Sequence, residues 1–298
     1  MEYSIKEIVR IIGAQANNLQ DSTISILLTD SRRLSFPEQS LFFALKTKTN
    51  DGHRYIKELY KLRVRNFVVS EMLPEFESLG EANFLMVKDT LKALQKLATH
   101  HRKQFNIPVI GITGSNGKTI VKEFLYQLLH KEFNIVRSPR SYNSQLGVPL
   151  SVWQISDKNT LGIFEAGISQ PDEMENLRPI ISPTIGVITN IGEAHQENFI
   201  STTQKCLEKL TLFNECEAII DKVKFNNVES IRKRLIKSCE DLNKLNAKMQ
   251  ISITPSYLDL KLQELNLCYE YAIKKQEERE EQKRIREEQR EAQKLQRE

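Results

Sequence analysis

Residues 108–119, PVIGITGSNGKT, hold three glycines (Gly111, Gly114 and Gly117) and set a short apolar run against a loop that ends in Lys-Thr. The run VIGIT predicts a buried strand, and KTIVKEFLYQLLHKEF after the loop predicts a helix. A strand, a glycine loop and a helix in that order place free backbone N–H groups at a helix N-terminus, which suits phosphate oxygens. Glycines at Gly114 and Gly117 let the backbone approach the phosphates. Lys118 can reach the β- and γ-phosphates, and the Thr119 hydroxyl can ligate Mg2+. Strict phosphate-loop spacing would need glycine at 112, where the chain has Ile112. The loop is therefore a nucleotide-binding expectation carried by context as much as by motif.

Working outward, strands and helices alternate. ISILLT, SLFFAL, NFVVS and NFLMV read as strands within roughly the first 90 residues, and TLKALQKLATHHRKQF reads as a helix leading to the loop. Beyond it come NIVRS and LGIFEA as strands, PDEMENLRPII as a helix, TIGVITNIG as a strand, a helix to Phe213, and a strand CEAII. Apolar strands separated by amphipathic helices predict an α/β fold with a parallel sheet covered on both faces.

That pattern ends near Asp221. All 11 glycines lie at or before Gly192, and eight of the nine prolines at or before Pro183. In the remainder, Ile231, Leu235, Leu242, Leu245 and Met249 recur at helical spacing. A second seam runs through Leu258, Leu262, Leu265, Tyr269 and Ala272, with Thr254 as N-cap and Pro255 at the first helical position. Beyond Lys274 the seam turns polar at Gln276, Arg279, Lys283 and Arg286, so the predicted coiled-coil-like tail ends as a solvated helix. The formal net charge of +4 arises wholly in residues 222–298, with 18 basic and 14 acidic groups. Near-balanced charge argues against a nucleic-acid partner. Four dispersed cysteines predict free thiols in a reducing compartment. The N-terminus reads as a first helix rather than a secretion signal, no run is long enough to span a bilayer, and the expectation is a cytoplasmic protein. The expected domains are 1–104, 105–221 and 222–298.

GITGSNGKT resembles the ATP loop of the Mur ligases, the ATP-dependent amide-bond-forming enzymes of peptidoglycan synthesis. Further segments resemble the same family in the same order: SYNSQLGVPLS (141–151), FEAGIS (164–169), TNIGEAHQENF (189–199) and LEKLTLF (207–213). Upstream, TDSRR (29–33) and SLFFALKTKTNDGHRYI (40–56) resemble the family's domain for the UDP-sugar. The resemblance covers residues 1 to about 220. It implies a ligase that moves the ATP γ-phosphate to a carboxylate and lets an amine displace it from the acyl phosphate. The members nearest in wording use UDP-MurNAc-tripeptide and D-Ala-D-Ala.

By the same resemblance, Gly114, Asn116, Gly117, Lys118 and Thr119 hold ATP, and Thr119, Glu165 and His195 hold Mg2+. Asn143 orients groups near the γ-phosphate, Lys209 matches the lysine that the family carbamylates, and Ser31 with Arg32 sits at the UDP end. Tyr142, Trp153 and the aromatics of FLYQLL are expected in the core, and Ile120 is expected to affect packing alone. The family has a third, smaller α/β domain; the glycine-free tail is not expected to supply it, and the central domain is expected to be truncated. Residues 243–298 resemble the helical region of phage-associated proteins that carry a GIY-YIG-type nuclease domain. The alternative reading is a non-catalytic nucleotide- or UDP-sugar-binding fragment joined to a helical interaction module that self-associates.

Overall fold

The computed structural model describes residues 2–17, 19–47, 49–192, 195–213, 223–224, 226–246 and 255–295. Chain contacts divide it into two units, Met1–Phe213 and Asn214–Glu298.

The first unit opens with β1 (Tyr3–Ser4), α1 (Ile5–Ile12) and β2 (Thr23–Ile24), the two short strands pairing antiparallel. The Ser4 hydroxyl caps α1 by accepting the Glu7 N–H at 3.2 Å, and Gly13 ends the helix in the left-handed region, the conformation glycine adopts without cost. Then follow β3 (Ile26–Leu28), β4 (Ser40–Phe43), α2 (Ile56–Lys61), β5 (Asn66–Val69) and β6 (Asn83–Met86). These strands form one parallel sheet in the order β3-β4-β5-β6. One face buries Phe43, Val68 and Leu85 with Ile5 and Ile8 of α1. The other buries Phe42, Phe67 and Val69 with Ile56 and Leu59 of α2. Side chains alternate faces along a strand, so apolar residues at every position require cover on both sides.

The next helix, α3 (Thr90–Arg102), is capped by the Asp89 carboxylate on the Lys92 N–H at 3.0 Å. Leu94 and Leu97 pack into the first sheet's core, while Ala98 packs into the second. Its last residue, Arg102, is 6% exposed and donates to the carbonyls of Phe105, Ile107, Ile181 and Ser182. Burial lowers its proton affinity below the ordinary guanidinium value, and the carbonyls disperse its charge without a carboxylate.

The second sheet uses β7 (Val109–Thr113), α4 (Lys118–Leu129), β8 (Ile135–Arg137), α5 (Gly147–Val152), β9 (Leu161–Glu165), α6 (Glu173–Ile181), β10 (Ile185–Ile188) and α7 (Thr202–Leu210). Its strands are parallel in the order β10-β7-β9-β8. The central strands β7 and β9 are buried along their whole length. Ile185 and Ile188 on the edge strand β10 are 50% and 37% exposed.

Helix α4 departs from one expectation. Val121, Leu125 and Leu129 pack on the sheet, but Phe124 is 60% exposed, as is Ile120 at 62%. Ile120, Phe124 and Leu128 each precede a seam residue and so form a neighbouring stripe about 100° round the helix, turned to solvent, and Phe124 is not a core residue.

In the second unit, α8 (Val228–Asn246) packs on α9 (Pro255–Leu295). Ile231, Leu235, Cys239 and Leu265 form its buried centre, with Leu258 and Leu262 against them. Arg232 Nη2 donates to Asn266 Oδ1 at 2.8 Å across the pair. Pro255 begins α9 as the sequence predicts. The proposed cap Thr254, the strand CEAII at 216–220, and the side chains of Leu242, Leu245, Met249 and Lys283 lie outside the described residues. Among the described residues no helix is long and apolar enough to cross a membrane.

Candidate functional site

The C-terminal ends of β7 and β9 face α4, and the phosphate loop lies between them. Gly117 caps α4 at φ 81° and Gly114 sits at φ 140°. A Cβ on Gly114 would meet Thr189 Oγ1 at 2.0 Å, so this position needs glycine on both steric and conformational grounds. The loop is strapped to the segment after β10. Ser115 N–H donates to the Asn190 carbonyl and Asn116 N–H to Asn190 Oδ1, each at 2.8 Å. Gly192 N–H donates to Ser115 Oγ at 2.9 Å. With those loop amides engaged, the first-turn N–H groups of α4, which have no intrahelical partner, are the donors left for an anion.

Lys118 folds back over the loop and donates to the carbonyls of Gly114 at 2.7 Å and Ser115 at 3.3 Å. Burial lowers its proton affinity, with Glu165 opposing. Lys209 on α7 is 3% exposed and donates to the same Gly114 carbonyl at 3.3 Å. Its pKa falls from 10.5 to about 8, first through burial and then through the positive charges of Lys118 and Lys205. Lys205, one turn earlier and 1% exposed, donates to the Gly192 carbonyl. Three lysines thus converge on the loops that would hold a polyanion.

Glu165 ends β9, fully buried, and its Oε2 accepts the Thr119 hydroxyl at 3.0 Å. Its Oε1 lies 2.9 Å from Lys122 Nζ, also fully buried, without an aligned hydrogen bond. A buried carboxylate beside a threonine hydroxyl is a hard-oxygen donor set of the kind that fits Mg2+, with its Oε1 facing the Lys122 ammonium as an ion pair. Asn143 is held at the same strand ends, its carbonyl accepting Gly167 N–H at 2.7 Å. His195 heads a short turn in the left-handed region and is exposed. Lys118, Asn143, His195 and Lys209 all line one cavity of about 430 Å3. Thr119 and Glu165 are joined to each other beside it, and His195 lines the cavity while neither of those two does.

Ser31 and Arg32 line a second, larger cavity of about 1090 Å3. Arg32 forms a two-point pair with Asp30, Nε to Oδ1 at 2.9 Å and Nη2 to Oδ2 at 2.8 Å. Tyr142 and Trp153, expected as core, also line this cavity. Trp153 does both, packing on the first sheet's core while its Nε1–H donates to the Ser25 carbonyl at 2.8 Å. The Tyr142 hydroxyl accepts from Arg33. Ser144 and Leu146 line both cavities, which adjoin along this segment.

Sequence reading missed Lys122, Asn190 and Lys205. Asn190 sits inside the quoted segment 189–199, and Lys122 lies four residues after Lys118, on the same helix face. A second candidate cluster, Asp51, His53 and Glu71, gathers three potential metal-ligand atoms. Both His53 ring nitrogens are already engaged, Nδ1 with Asp51 at 2.6 Å and Nε2 with Ser70 N–H at 3.1 Å, so the histidine is structural.

Known proteins resemble this chain in sequence and in fold. The UDP-N-acetylmuramoyl-tripeptide–D-alanyl-D-alanine ligase (MurF) of Bacillus subtilis is 30% identical over 213 residues, 71% of this chain and 46% of the relative. A crystal structure of MurF from Acinetobacter baumannii superposes with TM-score 0.66 at 25% identity, covering 72% of this chain and 46% of that one. MurF from Thermotoga maritima, solved with ADP, superposes with TM-score 0.56 at 27% identity, covering 62% and 42%. The chain therefore spans about half the length of the relatives it matches. Residues 181–276 match the model of the SNIPE associated domain, which begins well before the tail. Over about 70% of its length, then, this chain is similar in sequence and in fold to the MurF-type Mur ligases.

Proposed function

We propose that the first unit binds Mg·ATP and UDP-MurNAc-tripeptide and activates the tripeptide carboxylate as an acyl phosphate for attack by D-Ala-D-Ala. The observation that carries this reading is the convergence of Lys118, Asn143, His195 and Lys209 on one cavity that adjoins the cavity of Ser31 and Arg32. Phosphoryl transfer needs charge neutralisation and alignment more than covalent help. The first turn of α4 and Lys118 bind phosphate oxygens, with Gly114, Asn116 and Gly117 shaping the loop. Thr119 and Glu165 would hold Mg2+, with His195 as a further ligand, and the ion would supply charge neutralisation at the phosphates. Asn143 orients groups at the γ-phosphate end. Lys209, with its lowered proton affinity, offers the neutral amine that carbamylation requires.

The larger cavity accommodates the UDP end, with Ser31 and Arg32 at its wall. Expected domains are 1–104 for this substrate, 105–221 for ATP and 222–298 for the helical region. The test is calorimetric titration with Mg·ATP and with UDP-MurNAc-tripeptide, followed by phosphate release with both substrates and D-Ala-D-Ala. Binding of neither ligand overturns the proposal. Binding without release supports a second reading, a non-catalytic binding module joined to a helical interaction region. The coverage of about half of MurF and the match at residues 181–276 favour considering it. Self-association of the helical region belongs to that reading and is read by sedimentation with and without residues 222–298.

A further inference from the structure

Lys122 has no part in the proposed reaction, yet it is more deeply buried than Lys205 and Lys209 beside the phosphate loop. Its ammonium is fully buried and lies 2.9 Å from Glu165 Oε1 and 3.4 Å from Glu123 Oε1. It donates to the Ser138 carbonyl at 2.8 Å and to the Arg140 carbonyl. These partners come from different elements. Glu165 ends β9, while Ser138 and Arg140 follow β8 and lead into Asn143. Arg140 sits at φ 51°, the left-handed region that a non-glycine residue enters only when held there. Ser138 reinforces the junction, its hydroxyl accepting the Glu165 N–H at 3.2 Å.

We propose that Lys122 is a positioning residue that locks Glu165 and the 138–143 segment onto the phosphate helix. It acts through geometry. An ammonium has three donors in a compact head; here two are spent on carbonyls of the segment that carries Asn143, and the charge faces Glu165. Thr119, one turn earlier on the same helix, takes the other carboxylate oxygen at 3.0 Å. Helix α4 thereby grips Glu165 from both sides and fixes the strand ends that shape the cavity.

The inference rests on the Mg·ATP reading for its functional consequence, and its structural half stands separately. The full chain is prepared as wild type, Lys122→Met and Lys122→Arg. Two quantities are measured: the gain in ADP affinity on adding Mg2+, and amide hydrogen exchange over 138–146. In Lys122→Met the Mg2+-dependent gain falls at least tenfold, metal-free ADP affinity stays within about twofold, and exchange over 138–146 rises at least tenfold. Lys122→Arg, which keeps charge and donors, recovers part of both. A folded Lys122→Met with unchanged exchange over 138–146 overturns the proposal. Unchanged exchange overturns it even where the Mg2+ gain is lost. If wild type binds no Mg·ADP, the functional reading fails, and exchange alone decides for or against Lys122. If Lys122→Met does not fold, Lys122→Met/Glu165→Gln removes the unpaired buried carboxylate. Recovery of fold with fast exchange over 138–146 supports the lock, and recovery with wild-type exchange refutes it.

Discussion

Replacing Lys209 with methionine should make the protein more stable at neutral pH. The folded site lowers the Lys209 pKa from 10.5 to about 8, and each unit corresponds to about 1.4 kcal/mol, so holding the ammonium there at pH 7 costs about 3 kcal/mol. Methionine has a similar reach and no charge. It forfeits the 3.3 Å bond to the Gly114 carbonyl, worth about 1 kcal/mol. The net gain at pH 7 is then about 2 kcal/mol, or a rise in Tm of roughly 4–8 °C for a unit of this size. The pH dependence follows from the direction of the shift. Between about pH 8 and 10.5 the unfolded chain holds a proton that the folded chain has released. Wild-type stability therefore climbs through that window, and the penalty is present below it and gone above it. The assay is thermal melting of both proteins from pH 7 to 10.5 in CO2-free buffer. The Tm difference should be largest at pH 7 and shrink across the window. A difference that is flat with pH, or a less stable variant at pH 7, refutes the argument. Bicarbonate adds a second arm. At pH 7 about one Lys209 in ten is neutral, against roughly one in 3,000 for an ordinary lysine. Carbamylation would replace a cation beside Lys118 and Lys205 with an anion, so bicarbonate should raise the wild-type Tm and leave the variant unmoved.

Other expectations follow from the same geometry. Lys118→Ala should abolish Mg·ATP binding by calorimetry, and unchanged affinity would remove the phosphate-loop assignment. Gly114→Ala should cost roughly 1–3 kcal/mol in denaturant melts, through a left-handed conformation and the Thr189 clash; a neutral outcome would mean the loop is not built as described. His101 Nε2 faces the Ile155 carbonyl at 3.0 Å and must carry the proton, so Nδ1 accepts the Tyr3 hydroxyl at 2.9 Å. Tyr3→Phe should therefore cost about 1–3 kcal/mol by stranding a buried acceptor, read as a lowered urea midpoint. Ile120→Ser, on the exposed face of α4, should stay within about 0.5 kcal/mol of wild type; a larger loss would place Ile120 in a core.

The strand, loop and helix around Lys118 were readable because their signals are local: apolar run, glycines, helical period. The same holds for β3 to β6 and for the seam of Leu258, Leu262 and Leu265. Lys122 was not readable in its role, because a lysine in KTIVKEF looks solvated until Glu165, 43 residues later, is brought beside it. Phe124 was misjudged because an aromatic in an amphipathic helix is ambiguous without knowing which face meets the sheet. Helix α5 was not predicted within SYNSQLGVPLS, because its glycine and proline break the helical pattern, although Pro149 falls in its first turn, where proline is tolerated. Asn190 was quoted within its segment, but its grip on Ser115 and Asn116 depends on parallel pairing of β10 with β7, which no local pattern encodes.

The segment that carries Ser144 and Leu146 forms a wall of both cavities. One stretch of backbone is thus shared property of two binding equilibria. If a molecule in the larger cavity stiffens it, the conformational entropy lost there need not be lost again when the phosphate cavity fills. Thermodynamic reciprocity then requires the favour to be returned in equal measure, whichever ligand arrives first. Order of addition would be a matter of kinetics alone, and the strength of the cooperation a property of those few residues.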